Sequence, residues 1–154
     1  MKIHTLHKTQ FLPIALEEAW QFFSTPLNLA KITPPDLGFE VLTPFKATDT
    51  INEGMLIEYY VKPLFGIRVK WVTKIGEINK PYSFVDNQLK GPYSLWEHTH
   101  YFKAVNGGVE MTDVVKYSLP LGIIGEIGHE LLVKKKLETI FSYRKKTLDS
   151  LFQK

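Results

Sequence analysis

The sequence predicts an α+β fold: a strongly curved, seven-stranded antiparallel sheet wrapped around one long C-terminal helix, with two short helices after the first strand. Three observations carry this. From residue 39 to 119 apolar side chains recur with the two-residue period of a strand, interrupted by short Gly, Pro and Asn clusters. Most of those interruptions are too short for a crossover, so successive strands must run antiparallel. From about 123 to 152 the period changes to that of a helix with one apolar stripe.

Taken in order, residues 2–11 alternate as a strand that Leu12-Pro13 ends. Residues 14–24 follow a helical period through Leu16, Ala19, Trp20 and Phe23, with Glu17 and Glu18 near the start, where the helix dipole favours carboxylates. Pro26 suits the first position of a second short helix, which Thr33-Pro34-Pro35 stops. Strands are then expected at 39–45, 55–62, 67–78, 82–90, 93–105 and 109–119. Their turns are a polar loop at 46–53, Pro63-Leu64-Phe65-Gly66, Asn79-Lys80-Pro81, Gly91-Pro92 and the hairpin signal Asn106-Gly107-Gly108. With the first strand this makes a seven-stranded meander. The final helix has Ile124, Ile127, Leu131, Leu137, Ile140, Phe141, Leu148, Leu151 and Phe152 on its stripe, and the concave face of a curved sheet is where such a stripe is buried. Gly122, Gly125 and Gly128 weaken its first turns and read as a flexible lip.

Composition narrows the function classes. At 154 residues and 44% hydrophobic content, the chain reads as one domain over 1–154 with a real core. The absence of cysteine removes disulfides, thiolate metal sites and a cysteine nucleophile. No apolar leader and no membrane-length run are present, so a cytoplasmic protein without an integral membrane segment is expected. The charge of +3 is mild. Its basic clusters, Lys134-Lys135-Lys136 and Arg144-Lys145-Lys146, read as the solvated side of the last helix. Basic and aromatic residues are not interleaved there, so no nucleic-acid partner is expected. Monomer and homodimer both remain open.

The stretch DNQLKGPYSLWEHTHYF, residues 86–102, is the most informative. Along its second half, strand geometry places Trp96, His98, His100 and Phe102 on one face. An indole, two imidazoles and a phenyl ring in one row suit a lined cavity better than a plain core. Asp86 and Gln88 share a face with Phe84 just before Gly91-Pro92; they are either polar ligand contacts or partners of loop backbone. Counting back from the Asn106 turn brings Met111, Asp113 and Val115 within cross-strand reach of the histidines.

The order strand, two short helices, six strands, long helix resembles the START-like helix-grip superfamily, which includes polyketide cyclases/dehydrases and lipid-transfer proteins. The stretches Leu12-Pro13, Phe22-Phe23-Ser24, Ile32-Thr33-Pro34, Asp86 with Gln88, Gly91-Pro92, Trp96-x-His98-x-His100-x-Phe102, Asp113 and Tyr117-x-x-Pro120-x-Gly122 are similar to one bacterial ligand-binding branch of it. The resemblance covers the whole chain and implies a cavity between the long helix and the sheet. The leading expectation is binding of an apolar or amphipathic small molecule against Trp71, Trp96 and Tyr117, with Phe102, Asp86 and Gln88 at the site and His98, His100 and Asp113 as polar contacts. Trp20, Phe22 and Phe23 read as core.

Two alternatives stand beside it. An enzyme of cyclase or dehydratase type would use His98 or His100 as general acid or base, with Asp86, Glu97 or Asp113 as partner. An interaction protein would meet an anionic partner through the basic helix. His-x-His on a strand can also chelate a metal, but no third and fourth ligand shows recognisable spacing, and no metal is expected. Neither a GxGxxG nor a Walker pattern occurs, and no cofactor is expected.

Overall fold

A computed structural model describes residues 2–63, 66–120, 128 and 132–153. Seven strands form one sheet: β1 (His4–Leu12), β2 (Glu40–Val41), β3 (Leu56–Val61), β4 (Val69–Asn79), β5 (Ser83–Lys90), β6 (Leu95–Val105) and β7 (Gly108–Ser118). Helix α1 (Leu16–Phe23) and two 3-10 segments, Pro26–Ile32 and Pro35–Leu37, lie between β1 and β2, and α2 (Lys134–Phe152) comes last. All pairings are antiparallel. This is the helix-grip α+β fold. The start of the last helix and the glycine pattern at 122–128 lie outside the described residues, apart from Gly128, as do Leu64 and Phe65.

Three expectations change. The sheet order is β1-β7-β6-β5-β4-β3-β2, so only β2 to β7 form a meander. The helical segments after β1 carry the chain away to the far edge, which leaves β1 to pair with the last strand, from His4 opposite Tyr117 to Leu12 opposite Val109. The expected strand at 39–45 pairs only at Glu40 and Val41; beyond it the amides of Leu42 and Thr43 share the Glu58 carbonyl, which ends the ladder. The second short helix is 3-10 rather than α, and a further 3-10 turn follows at Pro35, closed by Gly38 with φ at 56°.

The β6–β7 hairpin fixes the register on which the site depends. Gly107, with φ at 84°, takes the left-handed position of the two-residue Asn106-Gly107 turn. Gly108 then packs against β1 so closely that a Cβ would lie 2.2 Å from the Leu12 carbonyl oxygen. Register slips between β4 and β5, at Val72/Thr73 and Ile75/Ile78, mark irregularities of the kind that bend a sheet.

Three apolar clusters pack the fold, the smallest of them Leu37, Val61 and Trp71, and a polar island lies between the two larger ones. One gathers Leu12, Trp20, Phe84, Phe102, Met111 and Leu148 beneath α1. The other gathers Leu6, Val115, Tyr117, Val133, Leu137 and Phe141. Helix α2 spans both with Leu137, Phe141, Arg144 and Leu148 buried along one side, a spacing of four, three and four residues. Arg144 is the charged member of that line.

Candidate functional site

The β6 alternation places His98 and His100 inward at 7% and 5% exposure. The hairpin register sets His100 opposite Asp113 and His98 opposite Val115, while β5 sets Asp86 opposite His98. Three adjacent strands thus bring two imidazoles and two carboxylates together, and α2 adds Arg144 from above. His98 Nε2 lies 2.8 Å from Asp113 Oδ1, and His100 Nε2 lies 2.7 Å from Asp86 Oδ2. Arg144 Nη2 donates to Asp113 Oδ1 at 2.9 Å.

Charge balance explains how this island survives burial, since isolated buried charges are costly. Burial pushes Asp113 up, but the Arg144 guanidinium and hydrogen bonds from His100 and His98 overcome it and hold the carboxyl well below the usual range. Burial likewise opposes ionisation of Asp86; in the acid range where that carboxyl titrates His98 is protonated, and its charge, the His100 hydrogen bond and Arg144 outweigh burial. Burial and then the neighbouring His100 lower His98, whereas hydrogen bonds to Asp113 and Asp86 raise His100 against its own burial. Near neutral pH two carboxylates therefore face the Arg144 guanidinium and the more basic imidazole, His100, with His98 neutral. An ionised Asp113 can only accept, so neutral His98 carries its proton on Nε2. Its Nδ1, 3.9 Å from Asp86 Oδ2, bonds to no described residue.

Beside this island lies a cavity of about 150 Å³ between α2 and the sheet. Leu29, Ile32, Phe39, Val61, Leu137 and Ile140 form much of its apolar wall, and Tyr59, Trp71, Tyr93 and Trp96 its aromatic one. Asp86, His98, His100 and Arg144 close the polar side. A second chamber of about 70 Å³ shares Leu29, Phe39, Tyr59, Asp86 and His100 with the first. Asp86 borders both chambers, with 22% of its side chain accessible.

Of the residues singled out in the sequence, Trp71, Trp96, Asp86, His98 and His100 border the cavity. Asp113 stands behind the histidines at 3% exposure. The Gln88 amide is spent on the loop: it donates to the Tyr93 carbonyl at 2.8 Å and accepts from the Tyr93 amide at 3.0 Å. Phe102 packs against Trp20 and Phe23 in the first core. Tyr117 lies behind the wall, stacked on His4 and in contact with Tyr93 and Trp96.

Sequence reasoning missed Arg144, Tyr59 and Tyr93. Arg144 was assigned to the solvated side of the helix with its basic neighbours; it is 5% exposed and paired with Asp113. The signal was present, because Arg144 continues the spacing of Leu137, Phe141 and Leu148. Tyr59 sits opposite Trp71 across the β3–β4 ladder and stacks on it.

Asp86, His98 and His100 each place one potential ligand atom within 4.8 Å of the others. The details suit shared protons better than a cation. The imidazoles stack at 3.8 Å with 23° between planes, so their in-plane lone pairs run side by side instead of converging. The 2.7 Å from His100 Nε2 to Asp86 Oδ2 is also shorter than the roughly 3 Å separating two ligands about 2.1 Å from one metal.

The architecture defines a class, the helix-grip α+β fold. Solved structures share that architecture. A protein from Chromobacterium violaceum has a TM-score of 0.70 at 16% identity, covering 97% of this chain and 98% of its own. Ara h 8.0201 has a TM-score of 0.58 at 14% identity, covering 97% and 99%. A nucleoside-diphosphate sugar epimerase from Corynebacterium glutamicum has a TM-score of 0.65 at 22% identity, covering 94% of this chain but 28% of its own. At these identities the likeness is one of fold. No family model matches the sequence, and no curated protein does. No helix among the described residues is long and apolar enough to cross a membrane.

Proposed function

We propose that the chain acts as one ligand-binding domain that takes a small, largely apolar molecule into the cavity under α2, its polar end against Asp86 and His98. The observation that carries this is the division of the cavity wall: aromatic and aliphatic side chains on most sides, and ionisable groups gathered on one. Volume narrows the class. A cavity of this order, about 150 Å³, holds a benzene-sized molecule. A single ring with short substituents reaching into the second chamber therefore suits the site better than a lipid chain.

Titration of intrinsic tryptophan fluorescence with single-ring aromatics tests the proposal, because Trp71 and Trp96 border the cavity while Trp20 lies in the core. Saturable quenching that disappears in Ile140→Trp, where the new indole fills the space, is the expected result. Quenching that persists in that variant would place binding elsewhere and overturn the proposal.

One observation favours a second reading, acid–base catalysis. Asp113, anchored by Arg144, holds His98 in a single tautomer at the cavity edge, the arrangement in which a carboxylate orients a histidine base. Abstraction of a proton beside a carbonyl is the step this would serve. Deuterium exchange into small cyclic ketones, followed by NMR, would be accelerated by the protein and not by His98→Gln; equal rates for both exclude this reading.

A further inference from the structure

Resting on that binding site, we infer that the ligand's polar end is a neutral hydrogen-bond donor, an O–H or N–H group, rather than an acid or a bare carbonyl. The atoms left free by the polar island decide this. Asp86 borders both chambers with an accessible carboxylate, which accepts only. One of its oxygens takes the His100 Nε2 proton. His98 has its Nε2 proton turned to Asp113, so Nδ1 offers a lone pair and no proton.

The cavity's polar wall thus ends in two acceptors 3.9 Å apart: His98 Nδ1, and Asp86 Oδ2, which takes the His100 proton on one lone pair and keeps a second. An oxygen or nitrogen placed about 2.8 Å from each fits between them at ordinary hydrogen-bond distance. The donors of the island are committed or shielded. Arg144 Nη2 serves Asp113, His100 Nδ1 lies 3.4 Å from Asp113 Oδ1, and Arg144 Nε and Trp71 Nε1 are fully buried with no hydrogen-bond partner among the described residues. A carbonyl entering here would meet lone pairs. A carboxylate would add a third negative charge beside Asp86 and Asp113. An ammonium would bring a further cation to carboxylates that already have close basic partners, His100 on Asp86 and Arg144 on Asp113.

Four matched probes separate the cases: 4-methylphenol, 4-methylanisole, 4-methylbenzoate and 4-methylbenzylamine, each titrated into the protein by calorimetry at neutral pH. The phenol is expected to bind about tenfold or more tighter than its methyl ether, the size of a hydrogen bond to a charged acceptor, and tighter than the acid and the amine. Asp86→Asn, checked for an intact fold by circular dichroism, is expected to shrink the phenol-to-ether ratio. Equal binding of phenol and ether to the wild-type protein overturns this inference and leaves cavity binding standing. Preference for the benzoate or the ammonium overturns it in favour of a charged ligand. Failure of all four to bind removes the cavity reading itself.

Discussion

His98 and His100 stack face to face, with ring centroids 3.8 Å apart, yet each hydrogen-bonds through Nε2 to a carboxylate on a different strand. Two imidazoles this close do not both hold a charge in a buried site near neutral pH, and the flanking carboxylates settle which one does.

That division predicts a stability maximum close to the ordinary histidine pKa of 6.5. His98 is held below this value by burial and by His100. As pH falls past it, the unfolded chain gains a proton that the folded one resists, and stability drops. His100 is held above it despite burial, by hydrogen bonds to Asp113 and Asp86. As pH rises, the unfolded chain loses a proton that the folded one keeps until its raised pKa, and stability drops again. Asp86 and Asp113, both lowered, add a loss only in strong acid. Melting temperature followed from about pH 5 to 9 should peak near the middle; His100→Gln should remove the alkaline decline and His98→Gln the acidic one. A flat profile in the wild-type protein would refute the assignment.

Arg144→Ala should destabilise the fold by about 3–5 kcal/mol, because it takes the guanidinium from a buried carboxylate and leaves Asp113 with only the two histidines as partners. The double change Arg144→Met, Asp113→Leu should recover much of that loss, since a buried ion pair is often replaceable by apolar groups of similar size. Urea unfolding of Arg144→Ala, Asp113→Leu and the double variant measures both effects. Additive losses in the double variant would show that the pair is not coupled.

Gly108→Ala should cost stability out of proportion to one methyl group. The added Cβ would meet the Leu12 carbonyl oxygen at 2.2 Å and the Phe11 ring at 2.9 Å, so β1 must move from β7. Overpacking of this kind typically costs about 1–3 kcal/mol. Hydrogen exchange should show faster exchange in β1 first; uniform protection would contradict the close approach.

Gln88→Ala should lower stability by about 1–3 kcal/mol through two lost hydrogen bonds and the half-buried Tyr93 backbone they satisfied. Affinity for single-ring probes should fall less than in Asp86→Asn, because the Gln88 amide holds the loop and Asp86 borders the cavity. Chemical denaturation alongside probe titration distinguishes the two. A larger affinity loss in Gln88→Ala would make Gln88 the ligand contact.

The sequence by itself determined what lies along each element. Two-residue alternation fixed that His98 and His100 point the same way, Asn106-Gly107 fixed the hairpin, and counting from that turn brought Asp113 to the histidines. These are local properties, set by backbone geometry within a few residues. Tertiary structure decided what meets across the fold. Pairing of β1 with β7 depends on where the intervening helical segments carry the chain, and no period within β1 records that. Burial of Arg144 depends on a carboxylate 31 positions away: the same guanidinium would stay in solvent if Asp113 did not await it beneath α2. Charge is placed by its partner, and cavity volume is what all the packed elements together leave unfilled, so neither could be settled before the chain had folded.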